Sequence, residues 1–297
     1  MKALLNVPHP EAIHSIRIML ESVGFDCEME WTRESLLMKQ AYFYEEFDIP
    51  RSKGGTPDLY VPVKKEAFRE DTKNLLFLIN GGSRGKNDFG VPTVTSNFWF
   101  EKAFRVYVPW YNRFNIRPRG KLNEYEKPMG LLHGGYGWGF SRYFPRLRDY
   151  IDVWGHRSPN GILPQIAVKD KLAKTLAFVH LKSQDAPGYA LYEAFASAVP
   201  IIVPRFFVKN TMFHDLFIDG ETCFMFDNDD AAARDETSEQ RQRVVDQIKE
   251  IIERLKDPEE NYRIGVNGLF KWHELTRWTS KKRDNFAAYL KQNNLLL

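Results

Sequence analysis

Two carboxylates eight positions apart, Asp185 and Glu193, frame the most chemically suggestive stretch of this chain, DAPGYALYEAFASAVPIIVP over residues 185–204. Pro187 and Gly188 follow the first acid. The second lies in an Ala-rich run of helical character, and the β-branched Ile201, Ile202 and Val203 come after it. Glycine has no side chain and tolerates positive φ, so a Pro-Gly turn lets backbone come close to a bound group. The first turn of a helix offers N–H groups with no partner inside the helix, and with the helix dipole these favour phosphate. Asp185 before that turn and Glu193 one turn into the helix suit hydroxyl groups on either side. The ligand so described carries hydroxyls at both ends and phosphate in the middle.

The elements around this stretch must present it at one edge of a sheet. AFVHLK reads as a strand ending just before Ser183, which puts Asp185 in the loop at its carboxyl end; ALYEAFASAV is the helix and PIIVP the next strand. Upstream, MGLLHGG is a strand ending in glycines, SRYFPRLRDYI a helix, DVWGH a strand and VKDKLAKTL a helix. TCFMFD follows as one more strand, and SEQRQRVVDQIKEIIERLKD and TSKKRDNFAAYLKQ are helices. The first part of the chain opens with the strand KALLNVP, the amphipathic helix EAIHSIRIMLESVGF and the strand DCEMEW, one strand–helix–strand unit of a parallel sheet. NLLFLING and RVYVPWY are strand-like, with PTVTSNFWF between them. RFNIRPRGKLNEYEKP loses apolar periodicity and reads as a linker or exposed loop. The division is therefore 1–124 and 125–297, two α/β halves in tandem. Ligands of such sheets bind beyond the carboxyl ends of the strands, and the cleft between the halves is the expected site.

Bulk composition narrows the class. The net charge of +3 is compatible with an anionic ligand without requiring one. No stretch is long and apolar enough to cross a bilayer, and Pro8 interrupts the N-terminus too early for the apolar core of a secretion signal. Cys27 and Cys223 are too few for a disulfide framework and no N-x-[ST] site occurs, so a cytoplasmic protein is expected.

A nucleotide sugar fits the ligand described above, and the stretch resembles the E-x7-E element of retaining glycosyltransferases with the GT-B fold. The counterpart here is D-A-P-G-Y-A-L-Y-E-A-F-A-S-A-V-P-I-I-V, and DLFIDGETCFMFDN is similar to the family's downstream stretch. The resemblance covers roughly residues 128–230. It implies two Rossmann-like domains facing across a cleft, with the acceptor on the first and the nucleotide sugar on the second. It implies further that Asp185 contacts the hexose, that Glu193 holds the ribose, and that backbone around Gly188, Tyr189 and Ala190 meets the diphosphate and sugar. Asp stands where the family has its first Glu, which shortens the reach toward the sugar. The family's paired Arg and Lys are absent at their usual spacing; Arg142 and Lys182 are the nearest candidates for the diphosphate.

Other motifs are placed by the same logic. The glycine-rich HGGYGWGF, residues 133–140, matches neither G-x-G-x-x-G nor a Walker A loop; a donor-side loop through Gly134 and Gly135 and a plain turn are both open readings. His9, beside Asn6 and Pro8 at the first strand's end, is a candidate acceptor contact, and NGGSRGK over 80–86 is an anion contact or a solvated loop. FDNDD contains a D-x-D triplet at 227–229, but its place between a strand and a helix favours N-capping by Asp229 or Asp230 over metal binding. No metal and no cofactor other than the nucleotide sugar as co-substrate are expected. WYNRFNIRPRGK, residues 110–121, interleaves cations with aromatics and supplies Trp110 and Arg113 as acceptor candidates; a solvated linker is its plainer reading. The expected activity is hexosyl transfer with retention from a nucleotide sugar to an acceptor hydroxyl. That acceptor is a hydroxymethylated pyrimidine in phage DNA by analogy, or a glycan or lipid-linked molecule. A phosphorylase and a non-catalytic nucleotide-sugar- or DNA-binding protein are the remaining alternatives.

Overall fold

The computed structural model describes residues 1–6, 10–30, 50–62, 74, 76–79, 91–95, 103–110, 112, 115–132, 146–155, 158, 160–180, 189–209, 212–227 and 238–296. The chain forms two compact units. Met1–Tyr111 and Thr276–Leu297 make the first, and Asn112–Leu275 the second.

In the first unit, β1 (Lys2–Asn6) pairs in parallel with β2 (Asp26–Met29) and β3 (Leu59–Pro62). A parallel set β4 (Phe77–Ile79), β5 (Thr93–Thr95) and β6 (Phe104–Arg105) continues it. Tyr60 N–H donates to Asn74 O at 3.0 Å and Leu76 N–H donates to Tyr60 O at 3.0 Å, the parallel pattern that joins the second set to β3. Helix α1 (Pro10–Glu21) connects β1 to β2 and buries Ile13, Ile16, Met19 and Leu20, the apolar stripe its spacing predicts. β3 has no counterpart among the strands read from the sequence. Its four residues follow closely on Pro57 and end with Pro62, and proline normally argues against an interior strand; here Pro62 falls at the strand's last position.

In the second unit, β7 (Met129–Leu132), β8 (Asp152–Gly155), β9 (Phe178–Val179), β10 (Ile201–Pro204) and β11 (Phe224–Phe226) form a parallel sheet in the order β11-β10-β9-β7-β8. Helices α2 (Gln165–Lys174), α3 (Tyr189–Ala196) and α4 (Arg205–Lys209) alternate with the strands, and α5 (Ser238–Arg254) and α6 (Pro258–Thr276) follow. One face of α5, through Val244, Val245, Ile248 and Ile252, packs with Val153, Val179, Ile202 and Phe224 in a common core.

Two readings of the chain are corrected. The segment expected to be an exposed linker is fastened to the second unit. Arg119 N–H donates to Ser197 O at 3.1 Å, and its guanidinium donates to Asn261 Oδ1 at 2.6 Å and to Thr175 O. Burial pulls that guanidinium down to about 10, which leaves it charged at neutral pH. Lys121 pairs with Glu259, and Ile116 is buried. The unit boundary accordingly falls at Tyr111/Asn112, ahead of the expected break at 124. The C-terminus also divides: helix α7 (Ser280–Gln292) belongs to the first unit, where Tyr289 hydroxyl accepts from Thr93 N–H at 2.7 Å and donates to Thr93 O at 3.1 Å. Phe286 packs on Phe104 there, and Trp278 Nε1 donates to Ser22 Oγ at 3.0 Å.

Helix α6 explains another difference. Its two interior glycines weaken it as a helix on propensity alone. A Cβ at Gly265 would lie well inside van der Waals contact with the Ala198 carbonyl oxygen, and one at Gly268 would meet Thr222 O at 2.9 Å and the Phe195 ring at 3.1 Å. The glycines thus let α6 lie directly on the turn that ends α3. Gly265→Ala should gain about 1 kcal/mol of helix propensity yet lose more to the clash, for a net destabilisation of about 1–3 kcal/mol by denaturant titration. Gly120→Ala, with open space at its Cβ, should stay within about 0.5 kcal/mol; equal effects at the two positions would refute the close approach.

Candidate functional site

Counted along the second unit, the strands run in the order 2-1-3-4-5. The chain moves one way from β7 to β8 and then returns to the other side of β7 to lay down β9, so the reversal lies between β7 and β9. Loops leaving the carboxyl ends of two such neighbours diverge to opposite faces and leave a crevice between them. Met129 on β7 is in register with Phe178 on β9. The glycine-rich loop departs after Leu132 at the end of β7, and the Asp185 loop departs after His180, just beyond β9. The two loops that the sequence singles out therefore start side by side at the switch point of one sheet.

Of the predicted site residues, Gly134, Gly135, Arg142, Lys182, Asp185 and Gly188 lie outside the described residues, as do His9 and Arg113 in the proposed acceptor set. The backbone of Tyr189 and Ala190 opens α3, so their amides lie in the first turn, where the helix itself supplies no acceptor. Glu193 follows in the second turn and is 3% exposed. A carboxylate at that depth must be satisfied by hydrogen-bond donors. The helix around it is buried from Leu191 to Pro200, with Tyr192 against Trp272 and Phe195 against Phe217. Such a helix cannot shift without disturbing the core, so Glu193 is held on a rigid element.

The end of α3 adds a constraint. Ala198 adopts φ 54°, a left-handed conformation usually taken by glycine at this position. Ala198 N–H donates to Phe195 O at 2.9 Å and Val199 N–H to Ala194 O at 3.0 Å, the paired bonds of a tight helix stop. The chain then enters β10 directly.

Sequence reasoning missed two features near the carboxyl edge. His180, 6% exposed, stands at the end of β9 with its ring 4.5 Å from Phe207, edge to face. Arg205, just after β10, bridges Asp219 Oδ2 at 2.6 Å and Asp227 Oδ1 at 2.8 Å; the pairing raises its pKa through the Asp219 and Asp227 hydrogen bonds. Asp227 of the D-x-D triplet is thus engaged by an arginine, while Asp229 and Asp230 lie outside the described residues. Among the described residues no group of three His, Cys, Asp or Glu is placed to hold a metal ion. In the 110–121 segment Trp110 is half-buried, and Arg119 and Lys121 are committed to protein partners.

Both cysteines are buried. Burial, with Glu21 nearby, pushes the Cys27 thiol up to about 12, and burial raises Cys223 as well. Burial thus keeps the Cys27 thiol protonated at pH 8, and a buried, protonated thiol is a poor nucleophile.

No family model and no curated protein sequence matches the chain. Solved structures do. HepE from Anabaena, in complex with UDP and glucose, shares 11% identity at a TM-score of 0.64, covering 98% of this chain and 100% of that one. A glycosyltransferase from Rickettsia africae shares 10% at 0.60, with 98% of each chain covered. Sucrose-phosphate synthase from Thermosynechococcus elongatus shares 11% at 0.57, again with 98% of each. At these identities the likeness shows the fold: an α/β protein of GT-B architecture with two Rossmann-like domains. No helix of the described residues is long and apolar enough to cross a membrane.

Thiol titration checks the burial directly: under native conditions at pH 8 neither cysteine should react with a disulfide reagent within minutes, and both should react once the chain is unfolded. Rapid native labelling of Cys27 would contradict it.

Proposed function

We propose that the protein is a nucleotide-sugar-dependent glycosyltransferase, with the donor held by the second unit and a hexosyl group passed to an acceptor hydroxyl with retention. The observation that carries this reading is the common origin of the glycine-rich loop and the Asp185 loop at the switch point of one parallel sheet, followed at once by the rigid helix that carries Glu193. In this reading Glu193 accepts hydrogen bonds from the ribose, and the first-turn amides of α3 face the diphosphate. Asp185 orients the hexose, and Arg142 and Lys182 supply cations for the leaving group. The bond from the anomeric carbon to the diphosphate oxygen breaks and a new bond to the acceptor oxygen forms on the same face. The acceptor's proton leaves with the nucleoside diphosphate. Preorganised donors at the diphosphate lower the barrier by stabilising charge that develops there.

The complex of HepE with UDP and glucose makes UDP-glucose the first donor to test. A DNA acceptor draws less support, because Arg119 and Lys121 of the basic aromatic segment are taken up by Thr175, Asn261 and Glu259.

A ligand that binds only the folded chain raises its melting temperature. UDP, UDP-glucose and the corresponding GDP, ADP and TDP compounds form the panel. At least one nucleotide should shift the transition at millimolar concentration. Glu193→Gln, which keeps the side chain's volume, should weaken that nucleotide about 10- to 100-fold, the loss expected for hydrogen bonds to a charged group. A flat response across the panel, or unchanged affinity in the variant, would contradict the proposal.

A further inference from the structure

Helix α6 has a face that the packing of the second unit does not use. Its inner side, through Asn261, Ile264 and Trp272, is buried. On the outer side Tyr262 is 42% exposed and Phe270 is 68% exposed, the most exposed of the large apolar side chains described. Val266 lies between them and is half-buried. Single exposed apolar residues are ordinary on a protein surface. These three stand at i, i+4 and i+8, so they form one continuous stripe along the helix.

Charge extends the stripe at both ends. Glu259 in the first turn and His273 in the last are both exposed. At about 100° of rotation per residue the five side chains fall within an arc of about 80°, the narrow seam of two paired helices rather than the broad face of one lying on a core. The intervals along Glu259, Tyr262, Val266, Phe270 and His273 are 3, 4, 4 and 3, which read the same in both directions about Val266.

A two-fold axis requires such a palindrome, because each residue then meets the one equally far beyond the centre. With the axis at Val266 and the helices antiparallel, Tyr262 of one copy faces Phe270 of the other, and Glu259 faces His273. The rise of 1.5 Å per residue sets the aromatic pairs about 6 Å and the charged pairs about 10 Å to either side of the axis. Lys121 takes one oxygen of Glu259, whose side chain is still 75% exposed. Parallel helices would set Glu259 against Glu259, and like charges repel. Antiparallel helices also bring opposite ends of the two dipoles together.

We propose that the outer face of α6 is a self-association surface, and that its partner is a second copy of this chain docked antiparallel through Tyr262, Val266 and Phe270. The aromatic pairs supply most of the contact, with ring packing adding to simple burial. The Glu259–His273 pairs fix the direction. A seam of about 21 Å lies at the small end of specific interfaces, so the dimer is weak and forms at micromolar concentration or above. No residue of the donor reading takes part, and the inference stands apart from it.

Sedimentation velocity of the full chain over a concentration series should show monomer passing to dimer and going no further. Phe270→Ser, at a position outside the core, should weaken the dimer at least tenfold and leave the melting temperature of the monomer unchanged. Cysteine pairing reads the register, since the native Cys27 and Cys223 are buried. In an oxidising glutathione buffer, Tyr262→Cys chains mixed with Phe270→Cys chains should give a disulfide-linked dimer, and neither variant alone should do so. A monomer at every concentration would overturn the proposal. So would association indifferent to Phe270→Ser, open-ended assembly, or cross-linking of Tyr262→Cys with itself, which marks a different pairing.

Discussion

The second unit depends on how closely α6 lies against the turn that ends α3. Only a residue without a Cβ fits at Gly265, because the Ala198 carbonyl oxygen occupies the space a side chain would need. Ala198 is itself held in a left-handed conformation by the paired bonds that stop α3. These constraints lock together: the helix carrying Glu193 ends where it does because the turn is tight, and the turn is seated because α6 has a glycine there. Arg119 closes the arrangement from another side, with its backbone on Ser197 and its guanidinium on Thr175 and Asn261. Asn261 in turn donates to Leu176 O at 2.9 Å and Leu255 O at 3.0 Å. The approach to β9, the end of α3 and the start of α6 therefore share one polar knot, and the Glu193 carboxylate on α3 inherits its rigidity.

Each unit repeats the same topological device. In both sheets the first strand lies between the second and the third, so in both the chain leaves strands one and three at neighbouring ends. In the second unit those loops carry the glycine-rich run and the Asp185 turn. In the first unit Asn6, at the end of the first strand, donates to Tyr60 of the third and to Glu30 just beyond the second.

Much of this was legible in the sequence because local pattern and tertiary role agree. The apolar bursts at 129–132 and 201–204 and the stripe of α1 read as what they are, since burial on one or both faces sets their periodicity. Pattern failed where a tertiary contact overrides local preference. α6 carries glycines that only the proximity of Ala198 and Thr222 explains, and β3 is bounded by prolines. The basic segment around Arg119 looks solvated by composition, yet its arginine is half-buried and held by partners 56 and 142 positions away. The helix and strand that follow Asp185 were legible because α3 and β10 are consecutive in sequence and each carries its own local pattern. Glu30 and Tyr60 carried no comparable signal: their hydrogen bond depends on the register of three strands, which spacing along the chain does not encode.

The most direct test of the donor site is a crystal structure of the chain grown with UDP. The diphosphate should lie against the first-turn amides of α3 at Tyr189 and Ala190, with the ribose hydroxyls within hydrogen-bond distance of the Glu193 carboxylate. UDP seated elsewhere on the second unit, with Glu193 remote from the ribose, would contradict the assignment of that carboxylate and of the switch-point crevice as the donor site.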